Sequence, residues 1–242
     1  MKFKKIVGFG DSWMWGDEMI DPALRDHEFA HPSFHENTPY RESHAFLGIL
    51  AQRYGVPWEN FGVPGGSQQS SIWTLLWWLD HEPNPEQCLV LVGHTDSNRT
   101  SFYNPQHGEW PHDPPWNRHI HSAWAHAGCS AVPDEWQDMI KRHLVLTDCD
   151  ALQALTYHQT VLTFDGISAR SGFPLLQFDI AQAPREVDVP TRIWTGRCLC
   201  NWLYAHPEYP SIHYPGGHPT EKGHVLIADM LQPEIDRVIL SR

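Results

Sequence analysis

Two residues at opposite ends of the chain carry the chemistry that stands out. Ser12 follows Gly10-Asp11 at the end of the apolar run Ile6-Val7-Gly8-Phe9. His218 stands in Gly217-His218-Pro219-Thr220-Glu221, just ahead of an apolar-periodic segment. A serine hydroxyl is a weak nucleophile at neutral pH and becomes a useful one when an imidazole accepts its proton. The pair therefore points to attack on a carbonyl. Nearly the whole chain separates the two residues, so only a folded domain that returns its last segments to its first strand could join them.

The surrounding residues shape what such a pair would meet. Trp13, Met14 and Trp15 follow the serine directly and are expected to wall the mouth of the site. Trp faces stack on sugars, so an acylated carbohydrate is an attractive substrate, although core packing explains Trp equally well. His94, at the end of a later apolar run, is a further candidate for substrate contact. Asp11 is expected to hydrogen-bond neighbouring loop backbone. Asp17, Glu18 and Asp21 are expected to be solvated loop acids, and His224 to be structural.

Positioning these groups requires strands that end where they begin. Lys4 to Phe9 reads as a central strand and Trp58 to Phe61 as a second. The continuous run Cys88-Leu-Val-Leu-Val92 is expected of a strand buried on both faces of a parallel sheet. Leu175 to Ile180 is a further strand. Helical periodicity covers Ser43 to Tyr54, stopping at Gly55, and Gln68 to Leu79, with Ile72, Leu75, Leu76 and Leu79 as its core face. It also covers Asp150 to Ala169 and Thr220 to Leu240. Pro133-Asp134-Glu135 is expected to start a helix through Trp136 and Ile140. Residues 17–40 read as loop, and 192–204 give no clear reading.

Alternating strands and helices predict an α/β fold, a three-layer α/β/α sandwich on a mainly parallel sheet. Ligands in such sheets bind beyond the carboxyl ends of the strands. Ser12, Gly65 and Gly93-His94-Thr95-Asp96 all follow candidate strands, which places them at that edge. Residues 1–242 read as one domain, with a long loop insertion at about 97–133 lying across it.

Composition narrows the possibilities. A net charge of −12 argues against a nucleic-acid partner, which would need a basic patch. No segment has the length and apolarity of a membrane span. The basic start Met1-Lys2-Phe3-Lys4-Lys5 lacks a signal peptide's apolar region, so synthesis in the cytoplasm is expected. The five scattered cysteines do not form a disulfide framework and are expected to be free thiols. Among the seventeen histidines, His107, His112, His119, His121 and His126 cluster, but without metal-site spacing. Neither a metal nor a cofactor is expected.

Taken in order, four blocks resemble those of the SGNH/GDSL superfamily of serine esterases and acyl hydrolases. They are Gly10-Asp11-Ser12, then Asn60-Phe61-Gly62-Val63-Pro64-Gly65-Gly66-Ser67, then Gly93-His94-Thr95-Asp96, then Pro215-Gly216-Gly217-His218. The resemblance spans nearly the whole chain. It implies a flavodoxin-like sheet and no cofactor. It also implies Ser12 as nucleophile, His218 as base, and an oxyanion hole from Ser12, Gly65 and Thr95. The wording Gly10-Asp11-Ser12-Trp13, Gly93-His94-Thr95-Asp96-Ser97-Asn98-Arg99 and Gly216-Gly217-His218-Pro219-Thr220-Glu221-Lys222-Gly223-His224 also resembles SGNH-like proteins of tailed bacteriophages, especially those of marine bacteria. That implies virion association, with virion proteins or a second copy of the chain as partners.

Two departures matter. Thr95 stands where the family's oxyanion Asn would be, and its hydroxyl reaches less far. One lost donor typically costs about 10²–10³ in rate. Pro215 stands where the family's catalytic Asp would be. The resemblance then implies a Ser12–His218 dyad, with a backbone carbonyl of His213 or Tyr214 holding the other ring N–H. The leading expectation is a serine esterase acting on a small ester or acylated carbohydrate. The alternative is a weak or inactive SGNH-fold protein used for binding or virion architecture, with a metal-dependent hydrolase a distant third.

Overall fold

The computed structural model describes residues 3–26, 31–32, 35–97, 99–103, 120–124, 149–181, 187–193 and 197–240, together with 138 and 142. Its centre is a parallel sheet of four strands: β1 (Lys5–Gly10), β2 (Trp58–Gly62), β3 (Cys88–His94) and β6 (Leu175–Asp179). The strand order is β2-β1-β3-β6, and every pairing in it is parallel. The chain steps outward from β1 in one direction to β2 and in the other to β3. That reversal opens a crevice beyond the carboxyl ends of β1 and β3.

Side-chain alternation along β3 shows how the layers form. Leu89 and Leu91 face one core, with Ile6, Leu176 and Phe178 from the neighbouring strands. Helix α3 (Phe46–Tyr54) covers this face through Leu47, Leu50 and Ala51, and α7 (Glu221–Leu240) through Ile227, Leu231 and Ile235. Val90 and Val92 face the other way, with Val7 and Phe9. There α4 (Gln68–His81) contributes Leu75 and Trp78, and α5 (Asp150–Ser171) contributes Phe164. A strand with both faces covered has no polar side to show, which is why β3 reads as an unbroken apolar run.

Several sequence expectations shift in detail. The single helix expected over Ser43–Tyr54 is two: α2 (Thr38–His44) and α3, parted at Ala45, whose ψ of 149° is extended. Residues 17–40 contain short 3₁₀ turns at Pro22–Leu24 and His35–Asn37 and the start of α2. Leu76 was expected in the α4 core face but is 47% exposed. The unclear stretch 192–204 includes a short helix, α6 (Leu199–Tyr204). The insertion expected as loop holds an antiparallel pair, β4 (Arg99–Tyr103) with β5 (Ile120–Trp124). The helix expected from Pro133 lies outside the described residues, apart from Asp138. No described helix is long and apolar enough to cross a membrane.

His224 joins the two helices of one layer. Its Nδ1 accepts the backbone N–H of Phe46, one of the donors left over at the start of α3. Burial pushes its pKa down to about 3, helped by the charge of nearby His218. Burial also lowers the pKa of His94. Both rings are therefore neutral when folded, but protonate near pH 6.5 when unfolded. The unfolded chain binds more protons in that interval, so stability must fall as the pH drops below about 6.5. Each group contributes a slope of about 1.4 kcal/mol per pH unit while the difference persists. Urea midpoints are expected to decline steadily from pH 7 to pH 4, with a shallower decline in His224→Gln.

Candidate active site

Ser12 opens a helix of one turn, α1 (Ser12–Trp15), directly beyond β1. Asp11 caps it, its Oδ1 accepting the Trp13 N–H at 3.0 Å. Gly16, at φ +84°, ends the turn in the left-handed region. A Cβ there would clash only with the flexible end of the Met19 side chain, so it is the left-handed conformation that calls for glycine. Gly16 and Asp17 both donate backbone N–H to the Ser12 carbonyl, at 2.9 Å each. This reversal brings residues 17 and 18 back alongside the serine.

His218 arrives from the far end of the chain. A turn at Gly216-Gly217 precedes it, and the His218 carbonyl accepts the Tyr214 N–H at 2.8 Å. Its Nε2 lies 2.9 Å from Ser12 Oγ. Its Nδ1 lies 2.6 Å from Glu18 Oε2. The Glu18 carboxylate also accepts the backbone N–H groups of Gly216 at 3.0 Å and His218 at 3.3 Å. Serine, histidine and a carboxylate thus form one continuous line.

Glu18 overturns two expectations. It is no solvated loop acid, and His218 does not rely on a backbone carbonyl for its second ring nitrogen. Pro215 cannot supply an acid, and Glu18 reaches the same nitrogen from a different segment. It does so at φ +63°, the one described non-glycine residue with positive φ. Such a conformation costs about 1–3 kcal/mol and persists only where surrounding contacts enforce it. Here the Glu18 N–H donates to Asp17 Oδ1 at 2.9 Å, and the carboxylate takes its three donors from the His218 loop.

The docking depends on Gly216. A Cβ on that residue would lie 2.5 Å from Glu18 Oε2 and 2.6 Å from both Cδ and Oε1. Gly216→Ala is expected to push the carboxylate off His218 Nδ1 while leaving the core intact. Its kcat should fall with little change in melting temperature, and a crystal structure of the variant should show the Glu18–His218 contact lengthened.

A second buried cluster supports the serine from behind. Asp11 Oδ2 accepts the Thr95 hydroxyl at 2.7 Å and the Arg99 guanidinium at 3.1 Å. Arg99 also donates to the Gly66 carbonyl at 3.3 Å, tying the loop before α4 to the serine turn. Asp11 therefore does more than bond its own loop: it anchors β4 and the end of β3. The Thr95 side chain differs from its expected role. Its only O–H proton goes to Asp11, so it is not a third oxyanion donor.

Gly65 follows β2 in a left-handed turn at φ +70°, with open space where a Cβ would stand. The Val63 N–H on the Gly10 carbonyl, at 3.0 Å, fastens this loop to the end of β1.

The three residues expected to contact substrate fare differently. Trp13 is 6% exposed and packs in the core, its edge against His213. The Trp15 ring is covered by the guanidinium of Arg41, 3.7 Å from its centroid. His94 is buried among Tyr157 and Phe164, its Nε2 2.9 Å from Gln177 Oε1. These placements correct the expectation: Trp13 and His94 belong to the interior, and the Trp15 face is occupied. The apolar core accounts for Trp13, since a large ring next to a nucleophile packs inward as readily as outward.

Of the histidines expected to cluster in the insertion, His121 lies on β5 and the others fall outside the described residues. Among the described residues no group of three His, Cys, Asp or Glu side chains could hold a metal ion. Cys88, Cys149, Cys198 and Cys200 are free. Burial pushes the Cys88 thiol up to about 12 and also raises Cys198 and Cys200.

No protein-family model matches the chain, and neither does any curated protein. Among solved structures, a lipolytic protein of the G-D-S-L family from Veillonella parvula is 13% identical, with a TM-score of 0.45 over 95% of this chain and 96% of that one. LAE5, an alpha/beta hydrolase enzyme from the metagenome of Lake Arreo, is 14% identical, with a TM-score of 0.42 over 96% and 95%. A mutant of the acetyl-xylooligosaccharide esterase Axe2 from Geobacillus is 16% identical, with a TM-score of 0.33 over 96% and 94%.

Proposed function

We propose that this chain is a serine hydrolase of the SGNH type that cleaves ester bonds through Ser12, His218 and Glu18. One observation carries the reading: Ser12 Oγ, both His218 ring nitrogens and the Glu18 carboxylate stand in line, at 2.9 Å and 2.6 Å. In this reading His218 Nε2 takes the Ser12 proton as Oγ attacks the ester carbonyl. Glu18 holds the Nδ1–H tautomer and stabilises the imidazolium that forms. The backbone N–H groups of Ser12 and Gly65 meet the developing oxyanion. His218 returns the proton to the leaving alcohol, leaving an acyl group on Ser12. Water, deprotonated by the same nitrogen, then releases the acid.

Glu18 replaces the dyad expected from sequence with a full triad. It also removes one of the two reasons for the alternative, a weak or inactive SGNH-fold protein of a phage virion. The other reason gains weight, because Thr95 donates to Asp11 and leaves two oxyanion donors instead of three. The reading is tested on short activated esters such as p-nitrophenyl acetate. Turnover that vanishes in Ser12→Ala supports it. A folded protein with no turnover, or turnover that persists in Ser12→Ala, contradicts it.

A further inference from the structure

The aromatic rings beside Ser12 do not form the exposed face that a sugar would need, but a different pair does. Among the described residues, Tyr204 and Tyr209 are 45% and 48% exposed. Their centroids lie 5.5 Å apart at 77°. Both pack on His213: Tyr204 stacks on it at 4.7 Å and 9°, and Tyr209 meets it edge-on at 5.3 Å. Burial, with the charge of His218, lowers the pKa of His213, so this support is a neutral flat ring.

The pair adjoins the proposed triad. His213 bridges to Pro219, the residue after His218, and its ring meets that of Trp13, the residue after Ser12. The Tyr204 hydroxyl lies 3.4 Å from where a Gly217 Cβ would be, one residue from His218. A ledge of two tyrosine rings therefore borders the histidine that returns a proton to the leaving group.

A carboxylate stands next to the same nitrogen. Asp17 Oδ1 accepts the Glu18 N–H, whereas Oδ2 lies 3.7 Å from His218 Nε2. That oxygen is an acceptor facing the reacting atoms. It favours a ligand that brings hydroxyl donors and disfavours one that brings negative charge. Of the described arginines near the site, Arg99 is paired with Asp11 and Arg41 lies over the Trp15 ring.

Resting on the serine-hydrolase reading, we propose that the Tyr204–Tyr209 ledge and Asp17 form the leaving-group subsite, and that its occupant is a neutral pyranose. The C–H face of such a ring is weakly positive and suits the negative faces of the tyrosines. Its free hydroxyls supply donors for Asp17. An aliphatic alcohol lacks both features, and an acidic sugar would be repelled.

The test compares a monoacetylated methyl glucopyranoside with vinyl acetate, which carries no ring. The wild type is expected to prefer the sugar ester in kcat/KM. Tyr204→Leu and Tyr209→Leu are each expected to lower the ratio of the two kcat/KM values about 3- to 10-fold through KM. That matches the loss of about 0.5–1.5 kcal/mol from an aromatic contact. Tyr204→Phe, which keeps the ring, should restore the ratio, and Asp17→Asn should lower it. Saturation-transfer NMR of methyl glucopyranoside on the Ser12→Ala protein reports occupancy apart from turnover, and its signal should fade in Ser12→Ala/Tyr204→Leu. Equal loss on both esters, an unchanged ratio, or no transfer signal overturns the subsite. Failure of the wild type to turn over either ester contradicts the hydrolase reading instead, and the NMR result then decides the ledge alone.

Discussion

Ser12→Ala and His218→Ala are each expected to lower kcat on p-nitrophenyl acetate by roughly 10⁶, to the background set by binding and the oxyanion donors alone. The two losses should not add. Without the serine there is no nucleophile for the imidazole to activate, and without the imidazole Ser12 keeps its proton. The double variant should therefore match either single one. Neither side chain belongs to the apolar clusters on either face of the sheet, so circular dichroism and the melting transition should change little. Steady-state kinetics on the three proteins, with active-site titration of the wild type, checks this. Losses that multiply would mean that the residues act separately.

Glu18→Gln is expected to produce the second largest effect, a fall in kcat of up to about 10⁴. The substitution keeps shape and removes charge. A glutamine can also turn its amide N–H toward His218 Nδ1. The ring would then hold its proton on Nε2, where it must accept one from Ser12. Both consequences act on the transition state, so KM should hold while kcat falls. A crystal structure of the variant would show whether the amide still contacts Nδ1. A loss below tenfold would mean that the ring is oriented by its backbone contacts alone, returning the site to the dyad suggested by Pro215.

Much of the framework was legible in the sequence. The unbroken run of β3 implies burial on both faces, and the candidate strands ahead of Ser12, Gly65 and residues 93–96 put all three at one edge of a parallel sheet. The end of β1 and the approach to α7 bring Ser12 and His218 to the same point, as their flanking apolar segments imply. Glu18 was not legible, because its role comes from a reversal rather than a motif. Gly16 turns the chain back, Glu18 takes a conformation that glutamate rarely adopts, and Gly216 leaves room for its carboxylate. An acid six residues beyond a nucleophile looks like any loop acid until that turn is known.

The Trp rings expected at the mouth of the site lie elsewhere for a related reason. Composition identifies a Trp but not which side of a one-turn helix it takes. Trp13 turned inward, and Arg41 covered Trp15. The exposed rings came instead from α6 and the turn after it, a stretch without periodic signal. Thr95 kept its expected place but not its expected partner, since a buried Asp11 is a stronger acceptor for its hydroxyl than empty space.

The central claim is that Ser12 is a nucleophile activated through His218 by Glu18. A fluorophosphonate probe tests it most directly, because stable labelling requires an activated hydroxyl and no assumption about the ester. Incubation followed by mass mapping should place one adduct on Ser12 in the wild type, no adduct in Ser12→Ala, and much slower labelling in His218→Ala and Glu18→Gln. A folded protein that takes no label, or takes it equally fast with Glu18 replaced, would contradict the account.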